Sequence, residues 1–351
     1  MDMFDIAGLA LTEIMYIINI YSEKTYIKGH VINRDKSYRE IKKSSKWNPI
    51  DVKFKYSEKL EYFIKTIKEQ LPYVDLTFMN NNLEDLKIAE YDRRKFKLDG
   101  MMKRSAGEYN PSSNIVKLLK NEEEYALSHE LLHMSSSFNQ GQTLYSGFSQ
   151  VKPKTKFTIG NGLNEGFTAY LDNKLFRANE AYFYMQPYIQ ALIAIIGEEN
   201  LTKYYFSADL NSLIHHLSTY VEESYVYKFI VNTDKFLGII EKGIDNKKFS
   251  EKEQAAIEVI TEENAKILLT ICANKVKKEN PNIKTPDDVK NVINYFYEYA
   301  NTLSKGMNIF NLNMNFITQK TFDEEASRHF GIYNFETKEN LTEEASAQHK
   351  M

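Results

Sequence analysis

The sequence predicts a mixed α+β protein, predominantly helical, built around one helix near residue 130. Three observations predict it. From residue 179 onward, apolar side chains recur at helical spacing almost throughout. Earlier in the chain, the turn cluster Asn110-Pro111-Ser112-Ser113 separates two runs of strand character, 104–109 and 114–119. Directly after them comes Ser128-His129-Glu130-Leu131-Leu132-His133-Met134, where charged and apolar residues alternate with the period of a helix that is half buried.

Taken in order, residues 3–22 carry Phe4, Ile6, Leu9, Leu11, Ile14, Ile17 and Ile18, the broad apolar side of a helix expected to pack on the main body. A short strand is expected at 25–33 and a polar, loop-rich stretch at 34–49, so 1–50 reads as an N-terminal helical and irregular segment. Residues 57–71 place Leu60, Phe63, Ile64 and Ile67 on one helical side and stop at Pro72. The stretch 73–78 has strand character, and 83–91 is an acidic-apolar segment before Arg93-Arg94-Lys95, which reads as a solvated face. The hairpin at 104–119 leads into a helix opened by Asn121-Glu122-Glu123-Glu124, whose acidic groups suit a helix N-terminus. Ser135-Ser136-Ser137 and Asn139-Gln140-Gly141 mark its exit. A long polar loop bordering a cleft is expected from there to Gly160. Glu165 then falls in the first turn of an amphipathic segment reaching about Phe176. These elements make a core over 51–178. Helices expected at 182–196 (closed by Gly197), 213–227, 233–241, 253–276, 286–303 and 323–330 form a helical C-terminal region, 179–335, completing the cleft. Residues 336–351 are a polar tail.

Composition narrows the classes. With 351 residues, 42% of them hydrophobic, the chain is long enough for a large core. A net charge of −3 leaves no basic footprint, so no nucleic-acid partner is expected. The single cysteine, Cys272, excludes an internal disulfide framework and lies in the apolar run 267–273 as a core thiol. The chain opens with Asp2 and Asp5 where a signal peptide needs positive charge, and no stretch reaches about 18 continuous apolar residues. No membrane partner is expected, and the expected location is cytoplasmic, with secretion by a signal-less route still open.

The chemistry concentrates in His129-Glu130-Leu131-Leu132-His133, an H-E-x-x-H pattern. On a helix, positions four apart sit roughly 40° from each other. His129 and His133 therefore point the same way and can close on one metal ion, with Glu130 at the rim. Two imidazoles and a carboxylate suit zinc and leave a fourth position for water. The expected cofactor is one Zn2+ per chain, and the expected reaction is hydrolysis with Glu130 as general base. The best source of a third ligand is Glu165, within Gly160-Asn161-Gly162-Leu163-Asn164-Glu165-Gly166-Phe167-Thr168-Ala169-Tyr170.

On these residues the chain resembles the zincin metallopeptidases, in their glutamate-liganded branch, the gluzincins. The resemblance implies zinc held by His129, His133 and Glu165, with Glu130 as the catalytic base. It implies a zincin-like core, with a small twisted sheet beside the active-site helix. It also implies that residues 105–109 form an antiparallel edge strand on which a peptide or protein substrate adds as a further strand. The separation between His133 and Glu165 is longer than in the thermolysin type. Ala169 stands where that type has an acidic partner for the imidazoles; Asp172 or a backbone carbonyl could serve instead. An oxyanion-stabilising group could come from His215-His216, on a helix over 210–220, or from Tyr145, Tyr170 or Tyr220. Two other functions share the scaffold: a catalytically silent binding or regulatory protein, and an effector-like peptidase specific for one protein target.

Overall fold

The computed structural model describes residues 51–91, 106–121, 123–154, 157–177, 181–281, 286–303, 306–310 and 312–330. The expectations for 1–50, 93–95, 104–105 and 336–351 lie outside the described residues. The fold is α+β and mostly helical, with small sheets in its first half.

After one 3-10 turn, helix α1 (Ser57–Gln70) buries Leu60, Phe63 and Ile67, as its periodicity requires. The strand expected at 73–78 does not form; helix α2 (Thr77–Asp85) begins there instead. Asp75 supplies the reason. Its carboxylate accepts hydrogen bonds from the Thr77 backbone N–H at 2.9 Å and the Thr77 hydroxyl at 2.6 Å, which turns the chain into a helical start.

Strands β1 (Lys87–Tyr91), β2 (Gly107–Asn110) and β3 (Ile115–Leu119) form a mixed sheet in the order β1-β3-β2. β1 runs parallel to β3, with Lys87 opposite Ile115; β2 runs antiparallel, with Gly107 opposite Leu118. The expected hairpin is therefore present, and β2 is an edge. All five residues of β3 are buried, as in a strand covered on both faces. One covering layer is helix α3 (Glu123–Ser135), which packs on β2 and β3 and buries Leu127, Leu131, Leu132 and Met134 in the main core.

The expected long loop after α3 is instead a four-stranded antiparallel meander: β4 (Ser137–Gln140), β5 (Thr143–Ser146), β6 (Ser149–Lys152) and β7 (Phe157–Ile159). Gly141 and Gly147 take positive φ, 60° and 52°, and each opens a two-residue hairpin loop. Phe138 stacks between Phe78 and Tyr145, at 4.6 and 4.5 Å, and ties the meander to α2.

Helix α4 (Asn161–Phe176) starts earlier than expected, so Glu165 lies in its second turn. Helix α5 (Gln186–Ile196) follows a 3-10 turn, Phe183–Met185, and ends at Gly197 as expected. Then come α6 (Glu198–Phe206), α7 (Leu210–Leu217), α8 (Glu223–Asn246), α9 (Glu251–Glu279) and α10 (Pro286–Leu303). A hairpin of β8 (Gly306–Ile309) and β9 (Leu312–Asn315) precedes α11 (Gln319–Phe330). The helices expected at 213–227 and 233–241 are redrawn: the chain leaves helix after Leu217, and α8 runs unbroken from Glu223 to Asn246. Along α8 the buried positions Val226, Phe229, Ile230, Phe236, Leu237 and Ile240 keep helical phase, which is why no break falls within it. One apolar core runs from Tyr56 to Ala326 and includes Cys272. Among the described residues, no helix is long and apolar enough to cross a membrane.

Candidate metal centre

His129 and His133 stand one turn apart on α3, and Glu165 reaches them from α4, which packs alongside. The two imidazole Nε2 atoms are 3.1 Å apart. Glu165 Oε2 is 3.2 Å from His129 Nε2 and 3.3 Å from His133 Nε2. The three residues are the one group of metal-ligating side chains found close together among the described residues. A tetrahedral ion bonded at about 2.0–2.1 Å spaces its ligand atoms about 3.3 Å apart, so the triangle has the size that one such cation requires.

The helix pairing has a local cause. Gly162 lies against α8 so closely that a Cβ would fall 2.5 Å from the Thr233 carbonyl oxygen. Beside it, the Asp234 carboxylate accepts hydrogen bonds from the Gly160 and Gly162 backbone N–H groups, at 2.8 and 2.7 Å. These donors belong to the first turn of α4, which has no side-chain cap of its own. Burial pushes the Asp234 carboxyl up to about 7, against the pull of its N–H donors.

Around the triangle, the imidazoles meet further polar groups. The Asn164 amide nitrogen is 3.2 Å from His133 Nδ1, and the Thr168 hydroxyl is 3.5 Å from it. Asn164 is held in turn by the Phe148 backbone N–H, from the turn opened by Gly147. Ala169 is buried and offers no polar atom, but Asp172 lies within the field of both imidazoles and accepts from the Ser128 hydroxyl. Asp172 Oδ1 is buried with no hydrogen-bond partner among the described residues.

Glu130 is 7% exposed and sits under β2. The Tyr109 backbone N–H of that strand bonds its carboxylate, and a Cβ on Gly107 would fall 2.8 Å from Glu130 Cγ. Burial pushes the Glu130 carboxyl up to about 8; His129 and the Tyr109 N–H pull it down, while Glu165 adds to the rise. Glu165 behaves oppositely. Burial raises it, but His133 and His129 outweigh burial and hold its carboxyl well below the usual range.

Two residues of the chamber carry no sequence signal. Tyr182 stacks on His129, with ring centroids 5.6 Å apart and planes 18° apart. Glu241, on α8, has its carboxyl raised to about 7 by burial, then by Glu165 and Asp245. Tyr182 is one of 24 tyrosines, and neither residue has spacing that ties it to the motif. The candidate oxyanion groups go elsewhere. His216 pairs with the Tyr204 hydroxyl at 3.2 Å, His215 is exposed, and Tyr220 lies beneath Lys278. Tyr145 belongs to the meander stack, and Tyr170 lies in the field of Glu198 and Tyr73.

Comparison with known proteins gives no match: no family model, no curated protein and no solved structure aligns significantly with the chain.

Proposed function

We propose that the chain is a zinc-dependent metallopeptidase with a zincin-like core, in which His129, His133 and Glu165 hold one zinc ion and Glu130 is the general base. The carrying observation is the triangle of Nε2, Nε2 and Oε2 at 3.1–3.3 Å, assembled from two helices with Glu130 one residue from a ligand. When bound, zinc acidifies a water and polarises the substrate carbonyl. The remaining steps belong to the chain. Glu130 takes a proton from the attacking water, whose oxygen bonds to the carbonyl carbon. The C–N bond then breaks, and the leaving nitrogen receives that proton, so Glu130 returns to its starting state. The edge strand β2, bonded to Glu130 through Tyr109, supports the place assigned to an extended peptide.

Metal analysis of the purified chain, beside digestion of a denatured general protein substrate, tests this reading. Wild type is expected to hold one zinc per chain and to cleave. His129→Ala and Glu165→Ala are expected to lose the metal, whereas Glu130→Ala keeps it and loses cleavage by at least about 100-fold. A wild type that binds no zinc, or a Glu130→Ala variant as active as wild type, overturns the proposal.

A further inference from the structure

Hydrolysis of an amide passes through a tetrahedral adduct whose former carbonyl oxygen carries negative charge, and a hydrogen-bond donor fixed beside that oxygen lowers the barrier. We propose that the Tyr182 hydroxyl is that donor; the inference rests on the peptidase reading above. Three observations carry it.

The first is position. The Tyr182 ring lies nearly parallel to the His129 imidazole, 5.6 Å away, so its phenol rides on a residue of the proposed metal set. Its hydroxyl lies in the field of Glu165 foremost, then of Glu241, Tyr184 and Glu130. The second is availability. No hydrogen bond joins the Tyr182 hydroxyl to another described residue, whereas the hydroxyl of Tyr205, which also lies in the field of Glu165 and Glu130, is engaged. Tyr205 pairs with the Thr168 hydroxyl at 2.7 Å. The third is backbone strain. Tyr182 has φ 55° and ψ 26°, the left-handed region, which a bulky side chain disfavours. The 3-10 turn that follows begins with a bond from the Met185 N–H to the Tyr182 carbonyl, and this fixes the residue in that conformation. A tyrosine held there against its backbone preference presents its ring to the site.

The hydroxyl donates a hydrogen bond and transfers no proton. As water adds, the carbonyl π pair moves onto oxygen, and the Tyr182 O–H points at that charge. As the adduct collapses, the pair returns, and the proton on Glu130 goes to nitrogen. Tyr184 is the nearest rival. Its ring meets Phe236 edge-on at 6.3 Å rather than a metal-set imidazole, and its hydroxyl feels Glu241 ahead of Glu165.

The test is the conservative pair Tyr182→Phe and Tyr184→Phe, each retaining its ring. Zinc content and melting temperature are measured first, then the affinity of the zinc-loaded chain for acetohydroxamate by calorimetry, which needs no knowledge of the true substrate. Tyr182→Phe is expected to keep zinc and melting temperature while weakening acetohydroxamate about 10-fold or more, the loss of one hydrogen bond to a charged group. Where the general substrate is cleaved, kcat falls about 100-fold with KM little changed. Tyr184→Phe is expected to match wild type. Unchanged acetohydroxamate affinity in Tyr182→Phe overturns the assignment, as does a larger loss in Tyr184→Phe. A wild type that holds no zinc removes the peptidase reading itself, a distinct result.

Discussion

At the scale of single residues, the site depends on what lies next to the motif as much as on the motif. Glu130 fits beneath β2 only because residue 107 has no side chain: a Cβ there would meet Glu130 Cγ at 2.8 Å and Ala126 Cβ at 2.9 Å. Gly107→Ala should therefore displace the carboxylate, lowering cleavage at least about 10-fold and stability by about 1–3 kcal/mol. Zinc content should stay at the wild-type value, because neither imidazole is touched; a fully active Gly107→Ala chain would show that Glu130 has room to spare. His129, Glu130 and His133 were legible in the sequence because their spacing and their chemistry coincide on one turn of helix. Glu165 was legible through the resemblance, and the structure brings it to the imidazoles. Gly107 and Tyr182 were not legible, since their contacts join residues 23 and 53 positions apart in the chain (130 − 107 and 182 − 129).

At the scale of elements, α4 holds Glu165 at the correct height only while its first turn stays anchored on α8. Asp234 is that anchor, and its carboxyl makes the anchorage sensitive to pH. Unfolded, the group ionises near its ordinary value of about 4; folded, it ionises at about 7. Below about 4 both states carry the proton. Between the two values only the folded state retains it, so rising pH favours unfolding across that window, and the effect levels off above about 7. Asp234→Asn cannot ionise, so the melting temperature of wild type minus that of the variant should fall as pH rises from 4 to 7. A flat difference across this window would place the ionisation of Asp234 elsewhere. The meander was missed for a related reason. Its strands are three or four residues long and rich in Ser, Thr, Asn and Gln, too short and polar for an alternating pattern to stand out. It nonetheless bears on the site, because the turn at Gly147 delivers the Phe148 N–H to Asn164, which meets His133.

At the scale of the whole molecule, a single apolar core joins the sheet, the motif helix and the C-terminal helices. A metal held between α3 and α4 would therefore couple to the stability of the fold. A ligand at 100 times its dissociation constant adds about 2.7 kcal/mol. Stripping zinc with a chelator should accordingly lower the melting temperature by several degrees, and zinc should restore it; identical curves with and without chelator would argue against an ion at this position. By itself, the sequence determined the helical character, the hairpin that makes β2 an edge and the histidine pair, because each follows from spacing within a dozen or so residues. Only the tertiary structure decided that Glu165 closes the triangle, that Asp234 holds its helix and that Tyr182 covers His129. Those contacts join segments far apart along the chain, and their geometry is set by close approach at glycines and by packing in a shared core, neither of which leaves a periodic mark in the sequence.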